Sequence, residues 1–380
     1  MQKFAQRLSL LKASESMAMA QKVKELQKAM DIIDLTFGQP DFDTPEHIKQ
    51  AAWKAICEGK NGYTASYGVV ELRQAIAEFY QQYYRAQYAP LKEVLVCPGA
   101  KQGIMYLMQA FLNPGDEVIL FEPCWLSYGD MILLNEGVPK FIPAKADLAP
   151  DLNRLESSIS PKTKMILINN PVNPSGYVFS RKELEYIVAL AVKHDLIIVS
   201  DEIYDRIVFM DFTSLSQFEN VRDRAIVVGG FSKNYAMTGW RIGYILAAEP
   251  MIAKIGLIHQ HTATCASSQS QYAALAALTG SQDSVSQMSR VYQSRRDLMG
   301  AGIGRTPFRL IKPEGTFYAM MDVSSLRAEP EKNSQELLTR YGIASVNGLS
   351  YGQSAGAYVR LSLTQGEARL QECLQRLSKN

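Results

Sequence analysis

Between residues 93 and 248 the apolar positions fall in short unbroken runs, each closed by glycine, proline or a polar cluster. The runs are EVLVCPG from Glu93, EVILFEP from Glu117, KMILINNP from Lys164, LIIVSDE from Leu196, AIVVGG from Ala225 and IGYILAA from Ile242. Such runs read as strands buried on both faces, where strict alternation would mark a half-exposed sheet. Helical patterns fill the intervals: one ends at Leu112, one begins near Leu126 and one covers 181–194. Strand and helix in turn predict an α/β fold, a mostly parallel sheet with helices on both faces. In that architecture the ligand crevice lies beyond the carboxyl ends of the strands.

The flanking segments follow a different pattern. Residues 1–13 form a mixed arm, and a helix is expected from Ser16, with Met17, Val23, Leu26 and Met30 near one face. Ile32 to Thr36 reads as a short strand ending in the turn cluster Gly38-Gln39-Pro40-Asp41. Thr44-Pro45-Glu46 reads as a helix start with Thr44 as cap, carrying Ile48, Ala52, Ala55 and Ile56 and stopping at Gly59. Another helix begins near Val69. After Pro250 the chain turns helical to about Leu278 and again from Ser284 to about Met299. Strands including 316–321 and 358–363, a helix over 334–341 and a closing helix complete a smaller α+β unit. The expected division is a large domain of residues 46–285 and a small one built from 1–45 and 286–380.

Composition narrows the function classes. The 380 residues are 47% apolar and 21% charged, ordinary for a globular protein. Forty Lys and Arg against 38 Asp and Glu leave +2, which gives no reason to expect nucleic acid or an anionic membrane as partner. No apolar stretch approaches the ~18 residues of a membrane span, and the N-terminus lacks the pattern of a signal peptide. Five scattered cysteines without a CxxC pair indicate neither zinc nor a disulfide framework, and reduced thiols in a cytoplasmic protein are expected.

The candidate chemistry concentrates between Asp201 and Arg241, in SDEIYDRIVF and SKNYAMTGWRIGY. Lys233 follows one buried run, Asp201 closes another, Tyr204 lies three residues on, and Arg241 follows Lys233 after a helical-looking turn. Each alone reads as a solvated side chain or a structural ion pair. Together, at the ends of adjacent strands, they offer an amine, a carboxylate, a phenol and a guanidinium. That set suits pyridoxal phosphate: amine for its aldehyde, carboxylate for its ring nitrogen, phenol for its ring oxygen, guanidinium for its phosphate. Gly99-Ala100-Lys101 sits between a strand and a helix, where small residues let backbone amides approach an anion, or simply make a tight turn.

SDEIY, SKNYAMTGWRIGY, NNPVNPSG and VRLSLT resemble the class I aminotransferases of the fold-type I pyridoxal-phosphate enzymes, nearest to the bacterial aspartate aminotransferase branch. The resemblance runs from LTFGQPDFDTP to YVRLSLT. It implies that Lys233 carries the cofactor and acts as the base, and that Asp201, Tyr204, Asn173 and a stacking Trp125 hold its ring. Ser232, Arg241 and the Gly99-Ala100-Lys101 turn would hold the phosphate. Gly230 stands where many relatives have a serine, so the grip is one hydroxyl poorer. Tyr63 would reach the phosphate in a second subunit, which implies a homodimer with shared active sites. Arg360 and Gly38 would meet the substrate α-carboxylate, and an ion pair is the other reading of Arg360. Lys101 and Ser16 would face the distal carboxylate of a dicarboxylic substrate, and Lys101 serving the cofactor or facing solvent is the alternative.

The implied reaction is amino exchange between an L-amino acid, aspartate or glutamate foremost, and a 2-oxo acid. Aromatic or other uncharged amino donors, or C–S lyase, decarboxylase or oxidase chemistry with the same cofactor, are alternatives. A ligand sensor fused to a DNA-binding module is a third reading, disfavoured because the resemblance begins within the first few dozen residues.

Overall fold

Side chains in the apolar runs alternate between two separate cores. Ile119, Ile166, Ile168, Ile198 and Val227 point into one, while Val118, Leu120, Met165, Leu167, Val199 and Val228 point into the other. A strand whose successive residues face opposite sides must be apolar throughout when both sides are covered, which is why these runs are unbroken. The computed structural model describes residues 4–11, 19, 21–23, 25 and 30–379. Its strands are β1 Ile33–Asp34, β2 Val94–Cys97, β3 Glu117–Phe121, β4 Val138–Ile142, β5 Thr163–Asn169, β6 Ile197–Asp201, β7 Ala225–Gly230, β8 Gly243–Leu246, β9 Arg309–Ile311, β10 Tyr318–Asp322, β11 Ile343–Ala344, β12 Val346–Asn347 and β13 Tyr358–Ser362.

The central sheet has the order β2-β8-β7-β6-β5-β3-β4. Only β8 runs against its neighbours, so the carboxyl ends of the other six lie on one side. The expected α/β class and mostly parallel sheet are therefore observed. β4 escaped the sequence reading: VPKFI carries a proline and a lysine and leaves Val138 and Phe141 exposed, as an edge strand can.

The C-terminal third forms a four-stranded sheet, β12-β13-β10-β9, and β1 pairs in parallel with β11. Ile33 and Leu35 from the N-terminal segment pack with Met321, Leu361, Leu370 and the end of the helix Asp283–Ile303. The N-terminal strand thus packs into the C-terminal core.

Three local readings need correction. Thr44 does not cap the helix Glu46–Cys57, whose N-cap is Pro45. Instead, Thr44 Oγ1 donates to the Ala236 carbonyl (2.7 Å) and accepts from Trp240 Nε1 (3.2 Å). Ile56 is exposed, and only Ile48, Ala52 and Ala55 of that helix are buried. The helical stretch after Pro250 is two helices, Glu249–Thr262 and Ser268–Thr279, broken at 263–267. Of the helix expected from Ser16, positions 19, 21–23 and 25 are helical with Val23 buried, and Met30 is exposed. Ser16, Met17 and Leu26 lie outside the described residues. No described helix is long and apolar enough to cross a membrane.

Candidate active site

A cleft of about 430 Å³ opens beyond the carboxyl ends of the central strands. Asp201 ends β6, Asn173 follows β5, Lys101 follows β2, Lys233 follows β7 and Arg360 comes from β13. Strands are pinned by their ladders, so Asp201 and Arg360 are placed by their sheets, while Asn173, Lys101 and Lys233 stand three or four residues past a strand end. In the ladder Asn169 of β5 lies opposite Asp201 of β6. Asn169 Nδ2 donates to the Asp201 carbonyl (2.8 Å), and its Oδ1 accepts from the Asn173 amide (2.7 Å). The first asparagine of NNPVNP thereby locks two strand-end loops together, a role that sequence reading missed.

Asp201 is 4% exposed. Its Oδ2 accepts from the Tyr128 hydroxyl (2.7 Å) and its Oδ1 from the Ile203 amide (3.2 Å). Burial pushes its pKa up to about 6, against the lowering effect of those two donors and of Lys233. Tyr128 was not singled out from the sequence. Its position three residues beyond Trp125, whose ring meets it edge-on at 5.2 Å, was the only local hint.

Lys233 lies in the turns after β7, with Nζ donating to the Gly38 carbonyl at 2.5 Å. Its pKa is lowered to about 8, first by burial, then by Arg360 and Arg241, with Asp201 opposing. Thr44, holding Ala236 and Trp240, pins the same turn region from the far side. Tyr204 is buried, and its hydroxyl donates to that of Tyr318 at 3.4 Å. Tyr318, also absent from the sequence reading, packs its ring 4.2 Å from the Arg360 guanidinium.

Arg360 is 5% exposed and donates to Asn173 Oδ1 (3.3 Å) and the Thr36 carbonyl (2.9 Å). Its Nε has no partner, and among the described residues no carboxylate pairs with it. The ion-pair reading of Arg360 finds no partner among the described residues. A buried guanidinium with unused donors beside a cleft is arranged for an incoming anion.

A second anion-suited corner lies at the start of the helix Ala100–Phe111. Gly99 has φ +88°, and a Cβ there would stand 2.8 Å from an Arg241 guanidinium nitrogen. Only glycine lets Arg241 lie against this backbone. Ala100, Ser232 and Arg241 all line the cleft. At Gly230 a Cβ would meet Ile203 Cδ1 at 2.9 Å, so a serine there would displace Ile203. Lys101 is an exposed residue whose Nζ lies 5.1 Å from the Trp125 ring centre and 3.4 Å from Ser127 Oγ. Partial burial and Arg241 lower its pKa.

Tyr63, 88% exposed, does not line the cleft, and neither does Gly99, which lies against Arg241. Ser16 lies outside the described residues. Among the described residues no cluster of His, Cys, Asp and Glu could hold a metal ion.

Residues 30–377 match the family model of aminotransferases of class I and II. The aspartate/prephenate aminotransferase of Thermus thermophilus is 35% identical over 385 residues, spanning 100% of this chain and 99% of that protein. An aromatic-amino-acid aminotransferase of Thermococcus litoralis is 33% identical, with 98% of this chain and 97% of that one covered. Among solved structures, the Thermus thermophilus aspartate aminotransferase with maleate superposes with a TM-score of 0.94 at 35% identity, covering 100% of this chain and 99% of the other.

Proposed function

This chain belongs to the class I and II aminotransferases, and we propose that it uses pyridoxal phosphate on Lys233 to exchange amino groups between aspartate or glutamate and 2-oxoglutarate or oxaloacetate. The observation that carries the reading is the charge pattern of the cleft. Among the described residues, Lys101, Lys233, Arg241 and Arg360 line it against the one carboxylate of Asp201. A phosphorylated cofactor and a dicarboxylic substrate would bring anions to three separate places in it.

The residues present fit the cofactor. The glycine-backed corner at Gly99, with Ala100, Ser232 and Arg241, suits a phosphate, and Lys101 adjoins it. Trp125 presents a ring face, while Tyr204 and Asn173 offer polar groups for a ring oxygen. When bound, pyridoxal phosphate supplies an aldehyde that captures amino groups and a ring that takes up electrons from the bond broken at the substrate α carbon.

The chain's own groups do the rest. Asp201, ionised above about pH 6, would hold a proton on the ring nitrogen. Lys233, with its pKa at about 8, is neutral in a useful fraction near neutral pH and can move a proton to and from the substrate α carbon. Arg360, stacked on Tyr318 and held by Asn173, would clamp the α-carboxylate, with the Gly38 backbone alongside. Lys101 would face the distal carboxylate, together with Ser16. A relative crystallised with maleate, a dicarboxylate, supports that choice. The aromatic relative favours the second reading, uncharged donors.

Tyr63, exposed and outside the cleft of its own chain, would complete the cleft of a second copy in a homodimer. Residues 46–285 would form the cofactor-binding domain, and 1–45 with 286–380 the smaller one. Cytoplasmic localisation fits the scattered free cysteines.

Borohydride reduction of the loaded enzyme followed by peptide mapping tests the core of this reading. The pyridoxyl label is expected on Lys233, and a label on another lysine would sink it.

A further inference from the structure

The loops after β6 and β7 are joined by a buried hydrogen bond that the reaction described above does not use. Asp205 lies four residues beyond Asp201, and Asn234 directly follows Lys233. Asn234 Nδ2 donates to Asp205 Oδ1 at 2.5 Å, and the Tyr84 hydroxyl donates to Asp205 Oδ2 at 2.5 Å. Asp205, Asn234 and Tyr84 are 4%, 4% and 6% exposed. Arg206, the next residue, stacks over the Tyr83 ring at 4.1 Å, and its charge and backbone amide favour the ionised Asp205 alongside the donors from Tyr84 and Asn234.

We propose that Asp205 and Asn234 are positioning residues whose bond locks the turn bearing Ser232 and Lys233 to the turn bearing Asp201 and Tyr204, and so sets where the Lys233 amine stands. The inference rests on the reading of Lys233 as the reactive amine.

The physical case is one of constraint. Lys233 sits in irregular backbone, where no ladder fixes it, between β7 and β8. Thr44 pins the later part of that segment at Ala236 and Trp240. The Asp205–Asn234 bond pins its start, one residue from the lysine. A hydrogen bond to a buried carboxylate is charge-assisted, and removing either partner strands the other without water. The segment is thereby tied at Asn234, next to the lysine, and again at Ala236 and Trp240, while the amine itself donates to the Gly38 carbonyl. Burial, Arg360 and Arg241 are what depress the amine's pKa. Slackening the turn would let the amine reach solvent and recover a more ordinary value.

The test uses the full chain. In cofactor-free protein, acetic anhydride labelling across pH, with the Lys233 peptide quantified by mass spectrometry, gives the amine's titration midpoint. In loaded enzyme, the pH midpoint of the visible absorbance reports the same amine in its bound form. Asn234→Ala, or Asn234→Ser if the alanine variant folds poorly, should move the labelling midpoint up by about one unit, a tenfold change. Tyr84→Phe leaves the tie intact, and should lower Tm without moving the midpoint. The exchange Asp205→Asn with Asn234→Asp rebuilds the bond with donor and acceptor reversed, and should bring the midpoint back towards wild type. If Asn234→Ala lowers Tm as Tyr84→Phe does while both midpoints stay put, the bond is merely structural and the proposal falls. Because the labelling arm needs no cofactor, its outcome is separable from a failure of the borohydride experiment.

Discussion

The Tyr128 hydroxyl donates to Oδ2 of Asp201 at 2.7 Å with both side chains buried, so a phenol holds down the pKa of the carboxylate that burial raises. With Tyr128→Phe only the Ile203 amide, at 3.2 Å, and Lys233 remain to oppose burial. A hydrogen bond to an ionised group is worth ~1.5–3 kcal/mol, or about one to two pKa units. In cofactor-free protein the titration midpoint of this carboxyl, read from the pH dependence of Tm, should therefore move up from about 6 by that amount. An unmoved midpoint would show that Asp201 is not the group titrating there.

The same carboxylate predicts a conflict between stability and activity. Its folded pKa of about 6 lies above the ~3.9 of an unfolded aspartate. The folded state thus binds the proton more tightly, and stability falls as pH rises through that window and then levels off. Two units correspond to at most about 3 kcal/mol. Asp201→Asn keeps an acceptor for the Ile203 amide and a donor for the Tyr128 oxygen. In cofactor-free protein it should raise Tm at pH 8 and change it little near pH 4, while turnover is lost. A lower Tm at pH 8 would contradict the argument.

What was legible in the sequence, and what was not, follows from the range of the interactions. β2, β3 and β5 to β8 announce themselves because strands buried on both faces must be apolar throughout, and the residues at their ends inherit a fixed place. Lys233, Asp201, Tyr204, Asn173, Trp125, Arg241 and Arg360 could all be singled out on that basis and by their motifs, and all of them line one cleft. Tyr128, Thr44, Asn169 and Tyr318 could not. Tyr128 meets Asp201 across 73 positions and Thr44 meets Ala236 across 192, and no spacing rule spans such distances. β4 was invisible for the opposite reason: an edge strand may carry polar residues and proline.

Arg360→Lys should test the α-carboxylate clamp. Lysine keeps a charge but loses the planar fork and the stacking on Tyr318, 4.2 Å away. Every amino acid carries the α-carboxylate, so kcat/KM should fall by about 30-fold, ~2 kcal/mol, for charged and uncharged donors alike. A loss confined to one class of donor would place Arg360 at the side-chain end instead.

The exposed Tyr63 makes a quantitative prediction for mixed dimers. Neither a Tyr63→Phe nor a Lys233→Ala homodimer should have an intact site. A hybrid of the two should have one, since a Tyr63 and a Lys233 then meet across the interface. Mixed samples, unfolded and reassembled together, should recover activity towards one quarter of wild type, given random pairing. A fully active monomer in sedimentation analysis would rule the arrangement out.

Substrate choice turns on Lys101. Its Nζ lies near the Trp125 ring and Ser127 Oγ, in the cleft that Arg360 also lines. Ammonium is a point charge that attracts a carboxylate without strict geometry, so some tolerance of other donors is expected. Removing it should cost the distal carboxylate one charge-assisted bond, about 1–3 kcal/mol. Lys101→Ala should therefore lower kcat/KM for aspartate by roughly 5- to 150-fold, and leave an aromatic donor within a few-fold of wild type. The lowered pKa of Lys101 gives the pH sign: as the ammonium deprotonates at high pH, aspartate should lose its advantage before the aromatic donor declines. Equal losses for both donors in Lys101→Ala, with weakened retention of the cofactor, would assign Lys101 to the phosphate corner and make an uncharged amino acid the better substrate.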